Sequence, residues 1–302
     1  MLGTSTKSSL DEYLQPLGND FGRKDRFFWA KVYLEGLLFG SERKSVKGIA
    51  RSVTLPNEVH VEDACQALQN FIQESPWDEQ RVLRQYRQHL VHTLGPEGVL
   101  VVEDVVLLKQ GQHSVGVHRQ FSTEQKKKVN CQILTTVFLV VNEHAAPLAF
   151  RLYLPRAWQE DSSRLAKGKV PQRESGVVSK AHVALELLKE LRLEELPYRQ
   201  LVAGESYARS EAFVAGISAL DFHLMPPEQT THLRSVSQKQ REEDGSSDSC
   251  LWRVRALSTH LKDHLGLDHF EGRTWRGLHH HLCLVTLAHG YELHRRPLSN
   301  TS

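Results

Sequence analysis

The run GVLVVEDVVLL at residues 98–108 constrains the fold more than any other stretch of the chain. Its valines and leucines predict a buried strand, because β-branched and apolar side chains fit a pleated surface covered by neighbouring elements. Glu103 and Asp104 interrupt the run. A buried carboxylate is costly unless it is paired or holds a cation, so one of the two is expected to face a functional cleft. Successive strand residues point to opposite faces, so only one of them can face any given site. The bland alternative is a strand-end acid paired with a neighbour.

The texture differs on either side of Gly98. Before it, DRFFWAKVYLEGLLFG, ERKSVKGIARSV, VEDACQALQNFIQ and SPWDEQRVLRQYRQHLVHTLG each carry apolar residues at helical spacing. In the last of these, Ser75 is the expected cap, with Pro76 in the first turn and a stop at Gly95. Residues 1–95 therefore read as a helical region, either a helix-turn-helix-like DNA reader or a plain packing module. After it, HSVGVHRQFS, CQILTTVFLVV and APLAFRLYLP continue as strands. A helix (AHVALELLKELRL), a short strand (RQLVAG), a helix (SEAFVAGISAL) and a last strand (DFHLMP) follow. That order suits an α/β domain of RNase H-like type, although several α+β folds share it. The polar segment 226–249 reads as a linker or surface loop, and helices resume with WRVRALSTHLKDHLG and TWRGLHHHLCLVTLAHGYEL.

Composition bounds the function classes. A chain of 302 residues with 40% hydrophobic and 25% charged residues belongs with soluble globular proteins. It has no apolar run of membrane-spanning length and no signal-peptide pattern, so a cytoplasmic location is expected, with no membrane partner. Cys65, Cys131, Cys250 and Cys283 form no CxxC pair and read as free thiols. The net charge is only +2, but between Val105 and Asn130 five cations (Lys109, Arg119, Lys126, Lys127, Lys128) face the single Glu124, a local net of +4. Such a stretch is either a phosphate-binding face or a solvated loop.

The segment GLDHFEGRTWRGLHHH (266–281) crowds Asp268, His269, Glu271, His279, His280 and His281 around Arg273 and Arg276. Consecutive helical residues point about 100° apart, so the three histidines cannot share one ion, and no paired Cys/His spacing of a zinc site accompanies them. One histidine is expected to pack inward while the others reach solvent.

Four blocks, GVLVVEDVVLLKQGQHSVGVHRQFS, VNCQILTTVFLVV, PLAFRLYLPRAW and HLGLDHFEGRTWRGLHHH, together resemble bacterial insertion-sequence transposases of the DDE type. The resemblance is to the branch described as DDE superfamily endonucleases and covers residues 20–292. It implies an RNase H-like core over 96–302 in which two Asp and one Glu hold divalent ions, Mg²⁺ or Mn²⁺, for phosphoryl transfer on DNA. Transposon-end DNA is the implied partner, a homodimer is compatible with it, and the implied location is the bacterial cytoplasm with its nucleoid.

The resemblance also assigns positions. Asp104 matches the first acid and is the expected metal ligand, with Glu103 a weaker candidate; Val105 and Val106 replace the usual Thr-Gly. The second acid is replaced by Gly204, with Glu205, the adjacent carboxylate, a weaker candidate to take over as ligand. The third falls on Arg255 within Trp252-Arg253-Val254-Arg255, with Lys262 seven residues on at the family's lysine position. A guanidinium cannot ligate a cation. Only fifty residues, 205–254, separate the second and third positions, so 226–249 resembles the scar of a lost insert. The expectation is an inactive enzyme that binds DNA through Lys109, Arg119, Lys126, Lys127, Lys128, Arg255, Lys262, Arg273 and Arg276, or a decayed remnant.

Overall fold

A computed structural model describes residues 4–57, 59, 61–122, 125–225 and 250–295, with side chains from residue 9. The polar segment 226–249 and Glu124 lie outside the described residues.

The chain opens with helices α1 (Thr4–Leu14), α2 (Lys24–Phe39), α3 (Val46–Ser52), α4 (Ala64–Gln73) and α5 (Glu79–Leu94), with a 3-10 turn at Gln15–Phe21. Their starts follow capping chemistry, in which a side-chain oxygen takes an orphan amide hydrogen of the first turn. Ser45 Oγ accepts from Gly48 N, and Asp63 Oδ1 accepts from Cys65 N and Gln66 N. At α5 the cap is not Ser75: Asp78 Oδ1 accepts from Gln80 N and Arg81 N at 3.0 and 3.2 Å. The reason is Trp77, which is buried and stacks on Phe71, so the chain before Asp78 serves packing rather than the helix. Between α2 and α3 the approach is close enough that a Cβ on Gly36 would lie 2.4 Å from Ile49 Cγ2.

The sheet is built from β1 (Val99–Leu108), β2 (His118–Ser122), β3 (Lys127–Val141), β4 (His144–Tyr153), β5 (Gln200–Ala203) and β6 (His223–Leu224). Strand β3 pairs antiparallel with β1, β2 and β4, whereas β5 runs parallel to β1 and β6 parallel to β5. The spatial order β2-β3-β1-β5-β6, with β4 on β3, is the mixed sheet of an RNase H-like core. Parallel β5 requires a crossover, supplied by α6 (Arg156–Gln159), α7 (Ser162–Lys167) and α8 (Lys180–Leu193). Helix α8 packs on β3 and β4; α9 (Glu205–Ala208) and α10 (Glu211–Ala219) lead to β6. The described chain then continues as α11 (Cys250–Asp263) and α12 (Trp275–Arg295).

Contacts divide the chain into two units: residues 1–93, 168–170 and 261–302, and residues 94–167 and 171–260. Residues 261–295 thus group with the N-terminal helices and not with the sheet, in contrast to a single core over 96–302. The cause is α12, which is buried on all sides from Leu278 to Tyr291 and packs against α1, α2 and α4. A helix without a polar face needs helical neighbours around it.

Candidate functional site

In the sheet unit, β1 and β5 align Val102 with Ala203, and Gly204 N extends the ladder by donating to Val102 O at 2.8 Å. This register sets Glu103 beside Gly204 on one face. A Cβ on Gly204 would stand 2.6 Å from Glu103 Oε1, so the Glu103 carboxyl occupies the space that a side chain at 204 would need. Helix α11 brings Arg255 to the same group, with Nη2 donating to Glu103 Oε2 at 3.1 Å. The other oxygen, Oε1, accepts from Asp104 N at 3.1 Å. Burial pushes the Glu103 carboxyl above its usual range, while the Asp104 amide and the Arg255 guanidinium act in the opposite direction.

Asp104 points to the other face, as strand alternation demands. There Lys180 Nζ donates to Oδ2 and Tyr207 Oη to Oδ1, both at 2.5 Å. Thr135, directly across β3 from Asp104, lies 3.1 Å from Tyr207 Oη. The Asp104 side chain is 6% exposed and its charge is matched by the Lys180 ammonium. Burial and the Asp104 charge push the Tyr207 hydroxyl well up, so it remains a donor. Sequence reasoning missed Lys180 and Tyr207, since nothing in their local patterns links them to Asp104, 76 and 103 residues away.

The structure therefore gathers Glu103, Gly204 and Arg255, and it takes Asp104 away from them. Glu205 heads α9, is exposed and pairs with Arg209. Among the basic residues, Arg119, Lys126, Lys127 and Lys128 are exposed on the β2–β3 hairpin, and Lys109 is half-buried. Lys262, Arg273 and Arg276 belong to the helical unit. Arg276 is partly used within that unit, where its guanidinium donates to Glu74 O at 3.2 Å.

The histidine run is buried entirely, not by one member as expected. His279 stacks on Trp275, His281 accepts from or donates to Tyr33 Oη at 2.9 Å, and His280 stacks on Trp77 with ring centroids 3.8 Å apart. All three sides of this helix face protein, which accounts for the difference. His280 presents Nδ1 to Ile72 O and Nε2 to Trp77 O, at 2.9 and 3.0 Å, with Glu79 at 3.9 Å and Arg276 and His279 also within its field. Burial dominates and pushes the ring down to about 3, so it is neutral when folded and donates to only one of those carbonyls.

A pH dependence of stability follows. The unfolded ring takes up a proton near 6.5, while the folded ring does not do so until about 3. This stability is complete above pH 6.5 and is lost as pH falls toward 3, by up to about 1.4 kcal/mol per pH unit. Urea unfolding between pH 7 and 4 should show a falling midpoint that flattens in His280→Gln; equal slopes would exclude His280 as the source.

A profile of the DDE superfamily endonucleases matches residues 16–246, and the chain belongs to that family. It is also 25% identical over 238 residues to a probable transposase for insertion sequence element IS701 from Microchaete diplosiphon, across 78% of this chain. The aligned region is 57% of that relative, so the chain spans little more than half its length.

The family uses divalent metal, and the side chains present can be tested against that need. Hard cations require several converging oxygens. Here one carboxyl stands at the site, it is bonded to a guanidinium, and position 204 offers no side chain. Among the described residues no three His, Cys, Asp or Glu side chains gather as a metal-binding group. The residues do not fit a two-ion centre. Among the same residues, no helix is long and apolar enough to cross a membrane.

Proposed function

We propose that this chain is a DNA-binding member of the transposase family in which an internal ion pair stands where the metal centre would be, so that it binds DNA without cutting it. The observation that carries this reading is the Glu103–Arg255 bond at 3.1 Å over the bare Gly204. In this family's chemistry the charge that develops on the transferred phosphoryl group must be stabilised electrostatically. One guanidinium already bonded to a carboxylate supplies far less of that than paired divalent ions. Glu103, rather than Asp104, is the acid that stands with positions 204 and 255. The exposed cations Arg119, Lys126, Lys127 and Lys128 support a retained affinity for phosphate.

The test joins binding to cleavage. Affinity for duplex and single-stranded DNA should fall steeply as salt rises, by roughly 0.7–0.9 in log–log slope for each phosphate neutralised. No nicked product should form with Mg²⁺ or Mn²⁺. Salt-independent or absent binding overturns the DNA-binding half of the reading. Metal-dependent nicking that disappears in Glu103→Gln overturns the other half.

A further inference from the structure

We infer that the β2–β3 ribbon is a binding platform for a single DNA strand, on which an unpaired base stacks against Phe121 while Arg119 and Lys128 take the flanking phosphates. This rests on the DNA-binding reading above and deepens it. Strand β1 pairs with β3 only from Cys131 onward, and β4 only from Ile133. On the β1 side the last bond runs from Lys109 N to Asn130 O at 2.9 Å. Residues 127–129 pair with β2 alone, so the hairpin extends past the sheet as a short two-stranded ribbon.

The two faces of that ribbon differ. On one, Ser122 is buried and takes a hydrogen bond from Gln125 N, Gln120 donates to Cys131 O, and Val129 packs against the Val106, Cys131 and Ile133 cluster. On the other, Phe121 is 57% exposed and lies directly across from Lys128, with Arg119 two residues along the same face. A spacing of two residues is about 6.7 Å along a strand, so both cations sit close to the ring. Neither has an ion-pair partner among the described residues, while Lys126 adds charge at the turn.

A single exposed apolar side chain is ordinary on a protein surface. Phe121 differs in being aromatic, held on a paired strand and bracketed by cations. An aromatic face with adjacent positive charge is the arrangement that binds single strands, since every base offers a π-face and each phosphate a charge. The register gives a direction as well. Lys128, Asn130, Gln132, Leu134 and Thr136 alternate onto one face of β3, and Thr136 pairs with Glu103. The Phe121 platform therefore shares the sheet face of Glu103.

Fluorescence anisotropy with a labelled 20-nucleotide single strand and its duplex tests the assignment, together with quenching of 2-aminopurine placed in the single strand. Phe121→Ala should weaken single-strand binding by roughly 5- to 150-fold, keep the salt slope, lose the quenching and leave duplex affinity unchanged. Lys128→Ala should instead lower the single-strand slope by about 0.7, and Phe121→Trp should retain the binding. Full salt-dependent binding in Phe121→Ala overturns this inference and leaves the DNA-binding reading standing. Failure of the unmodified protein to bind either DNA overturns both. Concentration-dependent dimerisation that Phe121→Ala abolishes, with DNA affinity intact, would assign the platform to a second copy of the chain and overturn the inference. Thermal unfolding of each variant confirms that the exposed substitutions leave the fold in place.

Discussion

Asp104→Ala should cost about 3–5 kcal/mol of folding stability, the range for removing one partner of a buried ion pair. The Asp104 carboxylate is almost fully buried and receives both Lys180 and Tyr207 at 2.5 Å. Its removal leaves the Lys180 ammonium without its carboxylate and the Tyr207 hydroxyl with Thr135 alone, and it unlinks β1 from the starts of α8 and α9. Because Lys180 is 28% exposed and can turn toward water, the lower half of the range is expected. Asp104→Asn keeps an acceptor without the charge and should cost about 1–3 kcal/mol. Equilibrium urea unfolding measures both, and a loss below about 1 kcal/mol for the alanine variant would show that the cluster does not hold the sheet together. The same argument makes Asp104→Ala a poor probe of chemistry, since folding and activity would fall together. Glu103→Gln, at the Gly204 face, separates them.

The second large effect is a gain. Gly204→Asp combined with Arg255→Glu should create divalent-cation binding, with none expected of the unmodified chain. Glu103 Oε1 is the flexible end of a side chain, so it can give way to the new Cβ at 2.6 Å. Three carboxylates then face one another with no guanidinium between them, and a hard cation relieves their repulsion. Without metal the double variant should be less stable than its parent. With Mn²⁺ at about 100 times its dissociation constant, binding should add about 2.7 kcal/mol. Thermal unfolding with and without Mn²⁺ reads this directly. An unchanged midpoint in the double variant would mean that the three carboxylates do not converge on a cation, and a metal-dependent shift in the unmodified protein would refute the ion-pair reading.

Local sequence patterns carried much of the architecture. Valine-rich runs marked the strands, since β-branched side chains suit a pleated surface, and apolar residues at helical spacing marked the helices. The C-terminal boundary was not legible, because periodicity in α12 shows a helix without showing which neighbours surround it. The histidine run misled for the same reason. Two of three imidazoles in a row look solvent-facing until aromatic partners such as Trp77 and Trp275, brought in by folding, cover them.

At the site the division is sharper. The sequence by itself determined that two acids interrupt β1 and that they face opposite ways. Each of these is a matter of residue identity and strand periodicity. Which acid faces the site was decided only by tertiary structure. Alternation with a period of two defines two faces but cannot say which one meets a distant strand. The parallel register of Val102 with Ala203, and the helix that carries Arg255, select Glu103 and leave Asp104 to Lys180 and Tyr207.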